Sequence, residues 1–465
     1  MARPYRSRPG EIRVVPERSG RPVAGGVRED GPMSRTDDLD RVADAYVAGY
    51  PLVVTLRTMQ VIGGFFGVNR LRWQPTLADH TTRAIVAPNR DTLYSTAVCD
   101  LRPEPLVLEL PEVVDRYSSY QLLDAWTESF EYVGTRTTGG RAGRWALVAP
   151  GWQGELPDDV VRLDAPTPQV FVLGRFHVLD HDDVAGVHAI ADRTSLRPLS
   201  EVVGGEAPAP APPLGPAPGR PRDVPATAAF FPELAEHLAV NPANAVADGA
   251  AFAALEQLGV PLSTGAELDL DDLGGDLVAL LEQGAARGSD RIDALPDGRP
   301  ELTGGWSVNR HVGTYGEDLL LRALVARIGW GANVAEEALY PLTRTDHEGE
   351  LLHGSNTYRL RFPAGGQPPV HAFWSLCAYG DDLFFTEHPT DRYHVGDRAP
   401  HLVEGDDGSL EVVLAHERPE GADETVTWLP VPADRFRLMM RLYLPEDALV
   451  HGTYEYPAVE RVEPA

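Results

Sequence analysis

What most constrains this chain is its punctuation. Between Arg83 and about Val178, and again beyond Leu339, short runs rich in β-branched and aromatic residues are interrupted every few positions by proline or glycine. A chain interrupted this often has no room for long helices there, but it suits short strands joined by tight turns. The first block predicts strands at Thr92 to Val98, Leu106 to Leu110, Tyr117 to Leu123, Tyr132 to Thr135, Trp145 to Ala149 and Val170 to Val178, closed by a short helix from Asp183 to about Ala191. The second predicts strands at Thr357 to Phe362, Val370 to Leu376, Leu383 to Thr386, Ser409 to Ala415, Thr425 to Leu429 and Phe436 to Leu444. Each block is expected to fold as an antiparallel β-sandwich, the first immunoglobulin-like and the second jelly-roll-like.

Between the blocks the pattern changes twice. Pro208, Pro210, Pro212, Pro213, Pro216, Pro218, Pro221 and Pro225 crowd residues 204–225, a composition that prefers extended backbone and reads as a linker or exposed loop. Thr227 to Leu238, Asn244 to Leu258, Leu270 to Glu282 and Tyr315 to Ile328 then follow helical spacing and predict a helical middle domain. Ahead of the first block, apolar residues from Asp38 to about Thr58 recur at three and four, and Gly49-Tyr-Pro51 is expected to split them into a helix pair. The expected organisation is an extension at 1–37 without order, a β-sandwich at 38–203, a linker at 204–225, helices at 226–334 and a second β-sandwich at 335–462. Residues 1–32 carry scattered arginines without the apolar stretch or paired arginines of an export signal, so Met33 reads as the natural start and a cytoplasmic location is expected.

Charge removes whole classes of partner. Basic residues number 41 against 69 acidic ones, a formal net charge of −28, which repels nucleic-acid backbones and anionic lipid surfaces. No apolar run approaches the roughly 18 residues that span a bilayer. Neither nucleic acid nor membrane is an expected partner; a small molecule is, and self-association is left open. Cys99 and Cys377 stand far apart and read as two buried thiols.

Several blocks carry a family likeness. Ala87-Pro-Asn-Arg-Asp-Thr-Leu-Tyr-Ser95, Val133-Gly-Thr135, Leu173-Gly-Arg175 and Asp183-Val-Ala ahead of Leu199-Ser200 resemble the family called domain of unknown function 1254. Gly313-Thr-Tyr-Gly-Glu-Asp, Gly331-Ala-Asn333, Ala338-Leu-Tyr-Pro341, Asn356 with Tyr358, Ala372-Phe-Trp-Ser-Leu376, Trp428-Leu-Pro430 and Arg441-Leu-Tyr-Leu-Pro445 resemble its usual C-terminal companion, domain of unknown function 1214. The resemblance implies two sandwiches with a helical subdomain between them, and no particular activity. Thr427 stands where the family often has asparagine, and the secretion signal of many members is not seen here, so periplasmic roles do not transfer.

The candidate chemistry lies in these blocks. Asn89-Arg-Asp-Thr92 opens a strand after Pro88, so its side chains either cap a turn or face a cavity, with Asp91 as general base or anchor, Asn89 as its partner and Tyr94 on the wall. Arg441 and Tyr443 alternate onto one strand face; an inward arginine needs a partner, and Asp91 or Glu317 is the expected one. Asn356, Tyr358, Trp374, Ser375 and Tyr379 fall on or beside neighbouring strands, as sandwich core or ligand wall. His177, His181, Asp182, Asp183 and His188 match no strong metal spacing and read as a helix cap with surface histidines, and His371 lacks the nearby histidine of a metal-binding jelly roll. No nucleophile elbow, phosphate loop or dinucleotide fingerprint is present, and no base is visible for Ser375. The expectation is a small-molecule pocket between the sandwiches, without metal or nucleotide cofactor, in which Asp91, Tyr358 and Arg441 carry acid–base chemistry and Asn89, Tyr94, Asn356, Trp374, Ser375, Tyr379 and Tyr443 bind the substrate. The alternatives are a non-catalytic protein that holds a glycan or an apolar metabolite, and a structural partner protein.

Overall fold

A computed structural model of the chain describes residues 35–462, apart from 84–85, 180–182, 207–208, 210, 212–213, 217–218, 244–245, 263–266, 296–299, 399–401 and 420–425. The N-terminal extension, His181 and Asp182 therefore lie outside the described residues. The described chain is multidomain and mainly β, with a helical body beside its sheets.

The expected helix pair at the start is one helix of 32 residues, Arg35–Phe66, with Pro51 inside it. A proline in a helix interior costs about 3 kcal/mol through its lost hydrogen bond and ring clash. Packing outweighs that cost, because Val42, Tyr46, Tyr50, Leu52, Val53 and Leu56 are all buried against the helices Phe230–Val240, Val246–Glu256, Gly275–Asp293 and Leu319–Ile328. Gly49 marks a close crossing: a Cβ there would lie 2.7 Å from the Leu234 methyls. Gly284 is tighter still, its virtual Cβ falling 2.2 Å from Val42 Cγ1. Gly284→Ala is therefore expected to destabilise the protein by about 1–3 kcal/mol in urea unfolding, although alanine is the better helix former. A stabilised variant would show that the two helices can move apart at little cost.

Two sheets build the N-terminal sandwich. One runs Arg72–Trp73, Thr92–Asp100, Gln169–His177, Ser118–Asp124, Ser129–Gly134; the other Val160–Asp164, Gly143–Val148, Leu106–Leu110, Ser195–Pro198. Two more build the C-terminal part. One centres on Phe436–Pro445 paired with Val370–Gly380, and the other runs Thr427–Pro430, Leu410–Ala415, Thr357–Phe362, Val459–Val462. The strands Glu301–Thr303 and Trp306–Val308, from within the expected helical region, extend the third sheet.

Most pairs are antiparallel, but Gly143–Val148 with Val160–Asp164 and Leu410–Ala415 with Thr427–Pro430 are parallel, which departs from the purely antiparallel expectation. No strand forms at Leu383 to Thr386; Leu383 turns the chain at φ 62°. The proline-rich stretch touches the long helix, where Gln60 Nε2 donates to the Leu214 carbonyl (3.0 Å) and Arg57 Nη1 to that of Asp223 (2.7 Å). No described helix is long and apolar enough to cross a membrane.

Period-two alternation then places the site. On Val370–Gly380, Trp374, Leu376 and Ala378 enter the C-terminal core, so Phe373, Ser375, Cys377 and Tyr379 face the other way. On Phe436–Pro445, Met440 and Leu442 are core, so Arg441 and Tyr443 share that second face. It is covered by the N-terminal half: the His177 ring stacks on Phe373 with centroids 3.8 Å apart, and Tyr117 packs on Tyr443 at 4.9 Å. Both faces of these strands are buried, which is why they read as nearly unbroken apolar runs.

Candidate functional site

Asn89 and Asp91 divide the two roles that the sequence leaves open between them. Asn89 caps the turn: its Oδ1 accepts from the Asp91 backbone N–H (2.7 Å), and its Nδ2 donates to Thr92 Oγ1 (3.0 Å) and, across the domain boundary, to the Tyr443 hydroxyl (2.8 Å). The Asp91 side chain turns to the other half. Its Oδ2 accepts a 2.6 Å bond from Ser375 Oγ, and its Oδ1 lies 3.5 Å from His394 Nε2. The carboxylate is 4 % exposed and lies at the wall of a cavity of about 350 Å³, bounded by Leu77, Val178, Leu179 and Phe373 on its apolar side and by His177, His394 and Asp397 on its polar side.

The titratable groups around the cavity are shifted in ways that burial explains. Burial lowers His394, Asp91 opposes that, and Arg90, Arg441 and Arg392 reinforce it, so the imidazole is neutral near pH 7. His177 is pushed down to about 4, again chiefly by burial. Asp397 is pushed up to about 6 by burial, although the Trp374 N–H donates to its Oδ1 (3.3 Å). Between pH 6.5 and 4 the unfolded chain binds a proton at His177 that the folded chain refuses, so this residue's contribution to stability is present above pH 6.5 and lost as pH falls toward 4. His177→Phe is expected to abolish about 2 kcal/mol of pH-dependent stability loss, read from urea unfolding at pH 7 and pH 4.5. An unchanged pH dependence would contradict a buried neutral His177.

The other expected site residues separate into a scaffold and a remote group. Arg441 lines the interface but not the cavity: Nη2 donates to the carbonyls of Ala87 (2.8 Å) and Pro88 (3.2 Å), and Nη1 points at Cys377 Sγ (2.9 Å). Neither Asp91 nor Glu317 is its ion-pair partner; among the described residues no carboxylate lies within 4.0 Å of it, because carbonyls of the turn solvate the guanidinium instead. Tyr379 joins that scaffold by donating to the Pro88 carbonyl (2.7 Å), and Ala87 is held at φ 50°. Trp374 borders the cavity by its backbone, while its ring packs on Phe362 in the core.

Tyr358 is buried in the C-terminal core, where its hydroxyl accepts from the His353 N–H and from Asn356 Nδ2 (both 3.1 Å). Asn356 Oδ1 accepts from Arg461 (2.7 Å), so this pair is placed away from Asp91 by the inward face of its strand. Tyr94 packs beside Met59 and Phe171, with Arg175 over its ring. Both thiols are buried and free, and burial pushes Cys377 up to about 11. Asp183 accepts from Arg116 Nη1 (2.6 Å) and the Leu179 N–H (2.9 Å), and no group of metal-ligating side chains forms among the described residues. Thr427 Oγ1, in the place of the family's asparagine, accepts from the Val403 N–H (2.9 Å).

Sequence reasoning missed His394, Asp397 and the arginines of the same rim. His394 and Asp397 lie on and just after a strand of three residues, His394–Gly396, too short to show a period, with Arg392 and Arg398 on either side of it. The available signal was the density of polar and ionisable residues in Asp391-Arg-Tyr-His-Val-Gly-Asp-Arg398.

A second interdomain network lies beneath the site. Arg175 donates from Nη1 to Gln121 Oε1 (2.7 Å) and Asn333 Oδ1 (3.1 Å), and from Nη2 to the Gly331 carbonyl (2.7 Å). Glu337, 1 % exposed, accepts from the Tyr117 hydroxyl (2.7 Å) and Arg136 Nε (2.6 Å). Several of the blocks quoted for the family resemblance are therefore the parts that fasten the two halves together.

Comparison with known proteins agrees with this arrangement. A family described as protein of unknown function, DUF1254, matches residues 68–198, and a second so described, DUF1214, matches residues 337–447. A crystal structure of the VPA0106 protein from Vibrio parahaemolyticus is similar at 25 % identity and a TM-score of 0.69, covering 92 % of this chain and all of that one. A crystal structure of a putative uncharacterized protein from Burkholderia cenocepacia is 14 % identical with a TM-score of 0.45, over 92 % of this chain and 95 % of that one. No curated protein matches the chain. With both segments present, in this order and in one fold, the chain belongs to the two-domain family that joins DUF1254 to DUF1214.

Proposed function

We propose that this protein is an enzyme that performs acid–base chemistry on a small organic molecule in the cavity between its two β-rich halves, without a nucleotide cofactor. The observation that carries this reading is Asp91: a buried carboxylate from one half, held by Ser375 and facing His394 of the other, at the wall of a cavity of suitable size.

The roles follow from the contacts. His394 Nε2 lies 3.5 Å from Asp91 Oδ1, near enough for the carboxylate to stabilise the protonated imidazole, so His394 is the base and Asp91 its electrostatic partner. Ser375 fixes the carboxylate by donating its own proton, and in that state it is no nucleophile. Asp397, pushed up to about 6, keeps a fraction of its protons near neutrality and supplies the complementary acid. Two groups whose environments push proton affinity in opposite senses within one cavity suit removal of a proton from one substrate atom and its return to another.

The test is untargeted. Fractionated small-molecule extract is incubated with the protein and followed by mass spectrometry for compounds that disappear as others appear. The proposal expects a substrate and product pair that His394→Gln leaves unconverted. Compounds that bind, with none converted in any fraction, would instead favour the non-catalytic binding protein.

A further inference from the structure

The arginines at the mouth of the cavity say what kind of molecule it accepts. Arg90, Arg392 and Arg398 all border it. Arg90 is neutralised by Asp391, at 2.6 Å. Arg392 and Arg398 are not: each donates to a backbone carbonyl, Arg392 Nη1 to Trp428 (3.0 Å) and Arg398 Nη2 to Ala372 (2.9 Å), and among the described residues no carboxylate lies within 4.0 Å of either. A guanidinium has five N–H donors in a planar fork, so each keeps an edge for an acceptor. On a chain with a net charge of −28, two arginines at one small cavity with no carboxylate within 4.0 Å among the described residues are notable, although Asp397 acts on Arg398 at longer range.

Resting on the proposed reading of the cavity, we infer that its ligand is a small carboxylate whose anionic group is held by Arg392 and Arg398 while its opposite end reaches Asp91 and His394. The apolar wall of Leu77, Val178, Leu179 and Phe373 fits the hydrocarbon part between the two. Phosphate and carboxylate share the arginine chemistry, but the Asp91 and Asp397 carboxylates on the same cavity favour the smaller charge. Burial and the nearby Arg418 push Arg392 below its ordinary range, a strain that a bound anion relieves.

Isothermal titration of the full chain with benzoate and hexanoate against benzamide and hexanamide, and with inorganic phosphate, tests this. The carboxylates are expected to bind at least about tenfold more tightly than the matching amides, with phosphate weaker than either carboxylate, and added salt to erode the preference. Arg392→Gln with Arg398→Gln is expected to reduce the preference to about twofold or less, and amide affinity is expected to hold. Arg398→Glu, at an exposed position, gives the same loss if the Arg392 change disturbs the fold. Equal affinity for acids and amides, a preference that survives both arginine variants, tighter binding of phosphate, or no binding by any of these probes overturns the inference. Wild-type protein that prefers the carboxylates yet converts no compound separates the two claims, because it leaves this inference standing and removes the acid–base reading alone.

Discussion

Arg175→Met is expected to cost about 3–5 kcal/mol of stability and to loosen the two β-rich halves from one another. Arg175 is 4 % exposed, and its removal leaves Gln121 Oε1 and the Gly331 carbonyl short of a donor in a buried interface, while Asn333 Oδ1 keeps only the longer bond from the Tyr132 hydroxyl (3.4 Å). An unmade hydrogen bond to a buried acceptor costs about 1–3 kcal/mol; two acceptors lose theirs outright and Asn333 Oδ1 is left with its weaker one. Methionine fills much of the volume, so the loss is electrostatic rather than a cavity effect. Arg175→Lys should rescue little, because one ammonium does not span acceptors on two sides. Urea unfolding measures the cost, and hydrogen exchange at residues 331–334 should speed up in the same variant. A loss below about 1 kcal/mol would mean that the halves are held by their apolar contacts alone.

Asp91→Asn is the second large effect, and it falls on chemistry instead. Asparagine keeps an oxygen for the Ser375 hydroxyl but removes the charge that lies 3.5 Å from His394 Nε2 and would stabilise its protonated form. Turnover of the cognate substrate is expected to fall by about 10²–10⁴, with the melting temperature within a few degrees of the wild type. The turn itself should survive, because Asn89, not Asp91, caps it. A variant that unfolds by several kcal/mol would assign Asp91 to structure, and one that keeps full turnover would remove it from the mechanism.

How much of this was legible in the sequence depended on the range of the force involved. Strands such as Thr92–Asp100 and Gln169–His177 show in the sequence because β-branched and aromatic runs bounded by turn residues are local signals. Pro51 misleads for the same reason: its local cost is real, but the helices around the long first helix repay it through contacts far along the chain. Val160–Asp164 stays hidden because an exposed, parallel edge strand carries no apolar alternation.

In the site, Asp91 and Ser375 stand out singly, yet they meet across a sequence separation of 284 residues, which no spacing rule reports. Tyr358 and Arg441 look like site residues for a sound reason, being polar groups on buried strands. Burial satisfies them with Asn356 and with the turn carbonyls, so neither reaches the cavity.

The most direct test of the account is a crystal of the full chain soaked with the compound that the extract screen shows to be consumed, or with benzoate if it is needed at higher concentration. The account predicts electron density in the interdomain cavity, with a carboxylate against Arg392 and Arg398 and the far end within hydrogen-bond reach of His394. Ligand density elsewhere on the molecule, with the cavity beside Asp91 holding only water, would contradict it.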